Sequence, residues 1–186
     1  EPQEIDYIVC ATMTPDHFFP GCGTILQQKL GLRPIPALDI RQQCAGFAYG
    51  LQMVDALIRS RIARNVLLVG TDVHTSLMPF SQRTWMVFRA SEEDDGRGIL
   101  GARLYGDGNH QDILTVPGLG SSRRPFVTAE QIAAGETVPV MDGRRVFKLA
   151  VTLMPQVTTG LLAEHGLALA DLDLLVMHQA NLRINE

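Results

Sequence analysis

Apolar positions in this chain follow two patterns: short unbroken runs, and longer stretches in which they return every third or fourth residue. IDYIV at 5–9 is such a run, LDIRQQ begins another near Ala37, and VLLVGT at 66–71 is a third. Runs this short predict strands buried on both faces. Between them, GTILQQKLG closes on Gly31, a helix stop, and Phe47, Leu51, Val54, Leu57, Ile58 and Ile62 recur at helical spacing. Strands that alternate with helices predict a parallel sheet with right-handed crossovers.

From Arg89 to Arg145 the periodicity fades. SEEDDGRG, YGDGNHQD and PGLGSSRRP are rich in Gly, Asp, Ser, Pro and Arg, which predicts loops with short strands. Helical character returns in VFKLAVTLMPQVTTGLLAEHG, where Pro155 is expected to kink the helix or mark a boundary. LADLDLLVMHQANLRINE follows, read as a buried strand ending in a histidine. EIDYIVCATM at 4–13 and DLDLLVMHQA at 171–180 share an acid, an apolar residue, Asp and a four-residue apolar run. If this is a duplicated βα unit, His178 stands at the carboxyl end of a strand, where α/β sheets place ligands.

With 186 residues, 46% of them hydrophobic and 19% charged, the composition is that of a globular protein with a real core. No apolar run approaches the roughly 18 to 20 residues that span a bilayer, and EPQEID is acidic where a signal peptide is basic. A cytoplasmic protein with no membrane partner is the expectation. A net charge of −4 argues against a non-specific nucleic-acid binder. Cys10, Cys22 and Cys44 make no CxxC pair and are odd in number, which favours free thiols over a zinc site or a disulfide framework.

Cys44 lies between a predicted strand and a helix that opens with Ala45 and Gly46. Free cysteine is among the most buried residue types, so a small packed side chain is one reading. The other is a nucleophile: the unpaired N–H groups and positive dipole at a helix start stabilise a thiolate and can hold an oxyanion. A lone histidine such as His178 is commonly hydrogen-bonded within a core. Together, however, Cys and His from distant segments can form a nucleophile with its acid-base partner. His17, His74, His110 and His165 suit surface roles, and the GDG at 106–108 reads as a turn because it lacks the Lys-Ser/Thr of a phosphate loop.

The segments IDYIVCATMTPDHFFPG, DIRQQCAGFAYGLQMVDALI, NVLLVGTDVHTS, MDGRRVFKLAV and LLVMHQANLRI resemble, in order, those of β-ketoacyl-acyl-carrier-protein synthase III and its relatives in the thiolase superfamily. The C-A-G-F context and HQANLRI are the most specific. The resemblance implies a thiolase-like α/β fold of two similar αβαβα halves, incomplete here: 1–145 as the first half with a loop-rich insertion, and 146–186 as the start of the second. It implies that Cys44 takes an acyl group from acyl-CoA and that His178 assists decarboxylation of malonyl-acyl-carrier protein for a Claisen condensation. Lys148, Asn181 and Arg183 match positions that dock carrier protein or CoA phosphates, where an exposed charged face is the plainer reading. Phe19 matches a phenylalanine that enters a neighbouring subunit's acyl pocket, which implies a homodimer. Arg41 and Arg144 are open between CoA contacts and solvated arginines. No metal or redox cofactor is called for, since CoA enters as part of the substrate.

The family pattern extends before the first residue and beyond the last, where a G-N-T/S type motif supplies an active-site asparagine. Its glycine-rich continuation after WMVF is also missing. The expectation is therefore that these 186 residues join retained parts of a longer enzyme, with a core strand cut at Phe88. The missing asparagine raises a competing class, a non-catalytic acyl-thioester-binding or dimerisation subunit; retention of both Cys44 and His178 argues against it. A related acyltransferase or a head-to-head acyl condensing enzyme would use the same cysteine.

Overall fold

The computed structural model describes residues 2–73, 84–91, 98–122 and 124–186, and the chain divides into two compact units, 1–99 and 100–186. In the first, the elements are β1 (Tyr7–Ala11), α1 (Cys22–Lys29), β2 (Ala37–Ile40), α2 (Gly46–Arg59), β3 (Asn65–Asp72) and β4 (Thr84–Ser91). The sheet order is β2-β1-β3-β4, with β1 parallel to β2 and β3. Strand β4 runs antiparallel to β3 along its whole length, so the sheet is mixed where the sequence predicts a parallel one. An eight-residue strand thus stands where a cut was expected. His74 lies outside the described residues.

The two helices cover opposite faces, as successive strand residues require. A Cβ on Gly23 of α1 would stand 3.6 Å from the Cβ of Cys10, and one on Gly46 of α2 would stand 3.2 Å from the Cβ of Ala11. Ile8 and Val9 point to opposite faces and both have 0% exposure, so β1 is covered twice over. Val9, Val54, Ala63, Val66 and Leu68 form the core beneath α2, flanked by Phe47, Leu51 and Ile58 at the predicted helical spacing. Burying a Val or Leu side chain fully contributes about 1.5–3 kcal/mol.

The second unit contains β5 (Leu114–Thr115) paired antiparallel with β6 (Val140–Met141), α3 (Ala129–Ala133), α4 (Gly143–Glu164) and α5 (Leu182–Asn185). Thr128 and Gln131 cap α3 reciprocally, and Asp142 caps α4 by accepting from the Arg145 N–H. Helix α4 continues through Pro155 instead of ending there. Its half-buried positions, Val146, Leu149, Ala150, Met154, Val157, Thr158, Leu161 and Leu162, make one stripe. The predicted buried strand at 172–178 is not formed: these residues have no ladder partner, with Leu174 77% and Val176 75% exposed. A strand needs a neighbour to satisfy its backbone, and among the described residues none lies beside it.

Candidate active site

The carboxyl ends of the three parallel strands converge on one edge of the first unit. The chain leaves β1 for β2 on one side and returns past it to β3 on the other, which makes the β1/β3 end a topological switch point. Cys44 sits at this edge, in a 3-10 turn, Gln43–Ala45, between the end of β2 and the start of α2. Gln43 has φ +43°, a left-handed conformation that costs a non-glycine residue on the order of 1 kcal/mol and so marks a backbone held by its surroundings. No side chain caps the start of α2. The Gly46 N–H, the first of the helix, donates instead to the Gln43 carbonyl within the 3-10 turn.

Cys44 is exposed and free, Cys22 is intermediate and Cys10 is buried. A cysteine at a helix start is expected to ionise readily; here the sign is reversed. Although the residue as a whole is exposed, partial burial of its sulfur, and then the Asp72 carboxylate, raise the Cys44 thiol above its ordinary pKa, against a smaller opposing effect of its own backbone N–H. At neutral pH the resting group is a thiol, which needs a proton acceptor before it attacks. Cys10 is pushed up to about 12, chiefly by burial, and is inert by comparison.

Four hydrogen bonds tie the strand ends together. Asp72 Oδ1 accepts from the Met13 N–H at 2.7 Å and from the Thr12 hydroxyl at 3.3 Å. The Thr12 N–H donates to the Ile40 carbonyl at 3.1 Å, and Thr14 Oγ1 accepts from the Val73 N–H at 2.7 Å. Asp39 of β2 accepts from the N–H groups of Cys22 and Gly23 at 2.6 and 2.8 Å, fixing the start of α1. Phe19, 88% exposed, stands on the loop between β1 and α1.

The other predicted site residues belong to the second unit. His178 is exposed on the segment that precedes α5. Asn181 caps α5, its Oδ1 accepting from the Arg183 N–H at 3.0 Å. Lys148 and Arg183 are exposed, on α4 and α5, which pack against each other. Arg144 is exposed, whereas Arg145 pairs with Asp112 at 2.7 Å, which holds that carboxyl below its usual range. Among the described residues no group of three or more His, Cys, Asp or Glu could hold a metal ion.

Sequence reasoning overlooked Asp72, Thr12 and Gln43. Asp72 carried a usable signal, as a polar residue closing the apolar run VLLVGT, which is the argument applied to His178. Nothing in the composition of QQC indicates a left-handed Gln43.

Residues 38–108, a segment that holds Cys44 and Asp72, match the family model for 3-oxoacyl-[acyl-carrier-protein] synthase III. The chain is similar to the solved 3-oxoacyl-[acyl-carrier-protein] synthase III of Aquifex aeolicus VF5, at 28% identity and TM-score 0.84 over 98% of this chain and 56% of that one. The corresponding enzyme of Pseudomonas aeruginosa PAO1 gives 30% and 0.80 over 97% and 56%. The priming β-ketosynthase of the R1128 polyketide biosynthetic pathway gives 28% and 0.79 over 100% and 56%. The chain therefore spans little more than half the length of these structures, and its α/β fold is thiolase-like but incomplete.

Proposed function

We propose that this chain, a relative of the 3-oxoacyl-[acyl-carrier-protein] synthases III by its matched segment and its fold, works as an acyl-transferring condensing enzyme. In this reading it starts fatty-acid or related acyl-chain synthesis from acyl-CoA and malonyl-acyl-carrier protein. The observation that carries the reading is Cys44 itself, exposed at the carboxyl edge of the sheet, in a strained turn ahead of an uncapped helix.

The Cys44 thiol loses its proton and its sulfur attacks the acyl-CoA carbonyl. The tetrahedral oxyanion accepts from backbone N–H groups beside the sulfur, Cys44's own among them, and collapse expels CoA thiolate, which takes up the proton that Cys44 gave up, leaving an acyl-cysteine thioester. Malonyl-carrier protein then loses CO2, with negative charge moving onto its thioester oxygen, where His178 donates a hydrogen bond. The resulting carbon attacks the acyl-cysteine carbonyl, forms the new C–C bond and releases the Cys44 thiolate, which is reprotonated. The product is a 3-oxoacyl thioester on the carrier protein. Lys148 and Arg183, exposed and basic, suit contact with an acidic carrier protein or CoA phosphates, Asn181 holds the turn that bears Arg183, and Phe19 would serve a homodimer.

The test is the mass of the carrier protein after incubation with acyl-CoA, malonyl-carrier protein and enzyme. Wild type is expected to yield 3-oxoacyl-carrier protein. His178→Ala is expected to form the acyl-cysteine but little product, and Cys44→Ala neither. Product formation by Cys44→Ala at the wild-type rate would overturn the reading.

A further inference from the structure

The geometry points to Phe47 and Gly70 as positioning residues for the nucleophile: the row Ile40–Ala11–Gly70 at the carboxyl edge of the sheet is a seat for the start of α2, and Phe47, lodged on Gly70, sets where the Cys44 turn stands. This deepens the condensing-enzyme reading and rests on it for Cys44 as the nucleophile; the seat itself stands on distances.

Ile40 and Gly70 are the register partners of Ala11 on its two sides, so the three lie abreast in the last row that pairs β2, β1 and β3. The row faces α2: Ile40 packs on the core beneath that helix, and Ala11 and Gly70 meet Gly46 and Phe47. Its side chains shrink across the sheet from isoleucine to alanine to glycine, and consecutive residues of α2 fill the step. A Cβ on Gly46 would stand 3.2 Å from that of Ala11. A Cβ on Gly70 would stand 2.9 Å from Phe47 Cδ2, 3.3 Å from its Cβ and 3.4 Å from its Cγ, so Gly70 has no room for a side chain while Phe47 stays in place.

Phe47 is the third residue after Cys44 and Ile40 the fourth before it, so the Gln43–Ala45 turn is anchored in the same row at both ends. Left-handed Gln43 lies within that span, and such a conformation persists only where its surroundings enforce it. Two anchors supply that constraint; a turn held at one end is free to relax. Because the Cβ and Cγ of Phe47 also lie close to the added atom, turning the ring alone makes no space for it. A methyl at Gly70 must lift the start of α2, and Cys44 with it. Misplacement of a reacting group by about 1 Å can slow a covalent step by ~100-fold.

The test is single-turnover acylation of Cys44 by acetyl-CoA and by octanoyl-CoA, read by intact mass across concentrations, with amide hydrogen exchange of residues 43–46 measured in parallel. Gly70→Ala is expected to lower the limiting acylation rate about tenfold or more, to leave the half-saturating concentration within about twofold, and to speed the exchange severalfold. Adding Phe47→Leu, which takes the ring off the new methyl, is expected to recover most of the rate and of the protection. A general loss of stability is not repaired by a second truncation in the core, so this rescue separates positioning from folding. Wild-type acylation and exchange in Gly70→Ala overturn the inference, as does a folded double variant that stays as slow as Gly70→Ala. Should Gly70→Ala fail to fold, Phe47→Ala empties the seat from the other side: faster exchange at 43–46 with a lower limiting rate is expected, and wild-type values overturn the inference. If wild type takes up no acyl group, the condensing-enzyme reading fails separately, and the exchange comparison alone decides the seat.

Discussion

Cys44 and Cys10 show how environment separates two chemically identical side chains. Cys10 faces the start of α1 in the middle of β1, between Asp39 and Val69 in register, and burial pushes its thiol up to about 12. An unfolded cysteine titrates near 8.5, so the protonated thiol contributes stability that is fully present below about pH 8.5 and is lost as pH rises toward 12. Thermal melts are therefore expected to fall with alkaline pH above about 8.5, and to fall less steeply in Cys10→Ala, measured as melting temperature against pH. Cys44 was legible in the sequence as a strand-to-helix cysteine, but its ionisation was not. The direction follows first from burial of the sulfur and then from Asp72, neither of which the local sequence around Cys44 shows.

Among the elements, α2 and β3 were readable because apolar spacing repeats over many residues, and their close approach was written in the glycines. A Cβ at Gly50 would stand 2.5 Å from Leu68 Cδ1, and Leu68 is 1% exposed and has no room to retreat. Gly50→Ala is expected to destabilise the first unit by about 1–3 kcal/mol in urea unfolding, with an unchanged m-value. Asp39→Ala removes both carboxylate contacts to the start of α1 and is expected to cost about 1 kcal/mol by the same measurement. The sequence failed where an element depends on a partner. The apolar run at 174–176 has the composition of a buried strand, yet pairing, not composition, makes a strand, and no ladder reaches it among the described residues. Pro155 does not end the helix: it lacks one N–H, but the turns on either side hold, with Thr158 and Thr159 hydroxyls donating to the Met154 and Pro155 carbonyls at 2.9 and 2.8 Å.

At the scale of the whole molecule, the two units differ in how much they bury. The first holds nearly all of the fully buried side chains; in the second Ile113 is the buried apolar residue among those described, while Phe147, Val151 and Leu153 of α4 remain exposed along the half-buried stripe and its margins. At 22 residues α4 is by length and composition alone apolar enough to cross a bilayer, and none of its residues is fully buried. An apolar stripe left partly exposed favours further cover. The protein is therefore expected to bind an apolar dye and to self-associate in sedimentation velocity, and Val151→Glu with Leu153→Glu to reduce both; a dye-silent monomer would contradict this. Family likeness was legible across nearly the whole sequence because its motifs are short and local, whereas the exposure of α4 and of 174–176 follows from packing that no motif encodes. The most direct test of the central claim is intact mass before and after incubation with a panel of acyl-CoAs, with Cys44→Ala in parallel. An acyl increment on wild type that maps to Cys44 and is absent from Cys44→Ala is the predicted result. No increment with any acyl-CoA, or one that persists in Cys44→Ala, would contradict it.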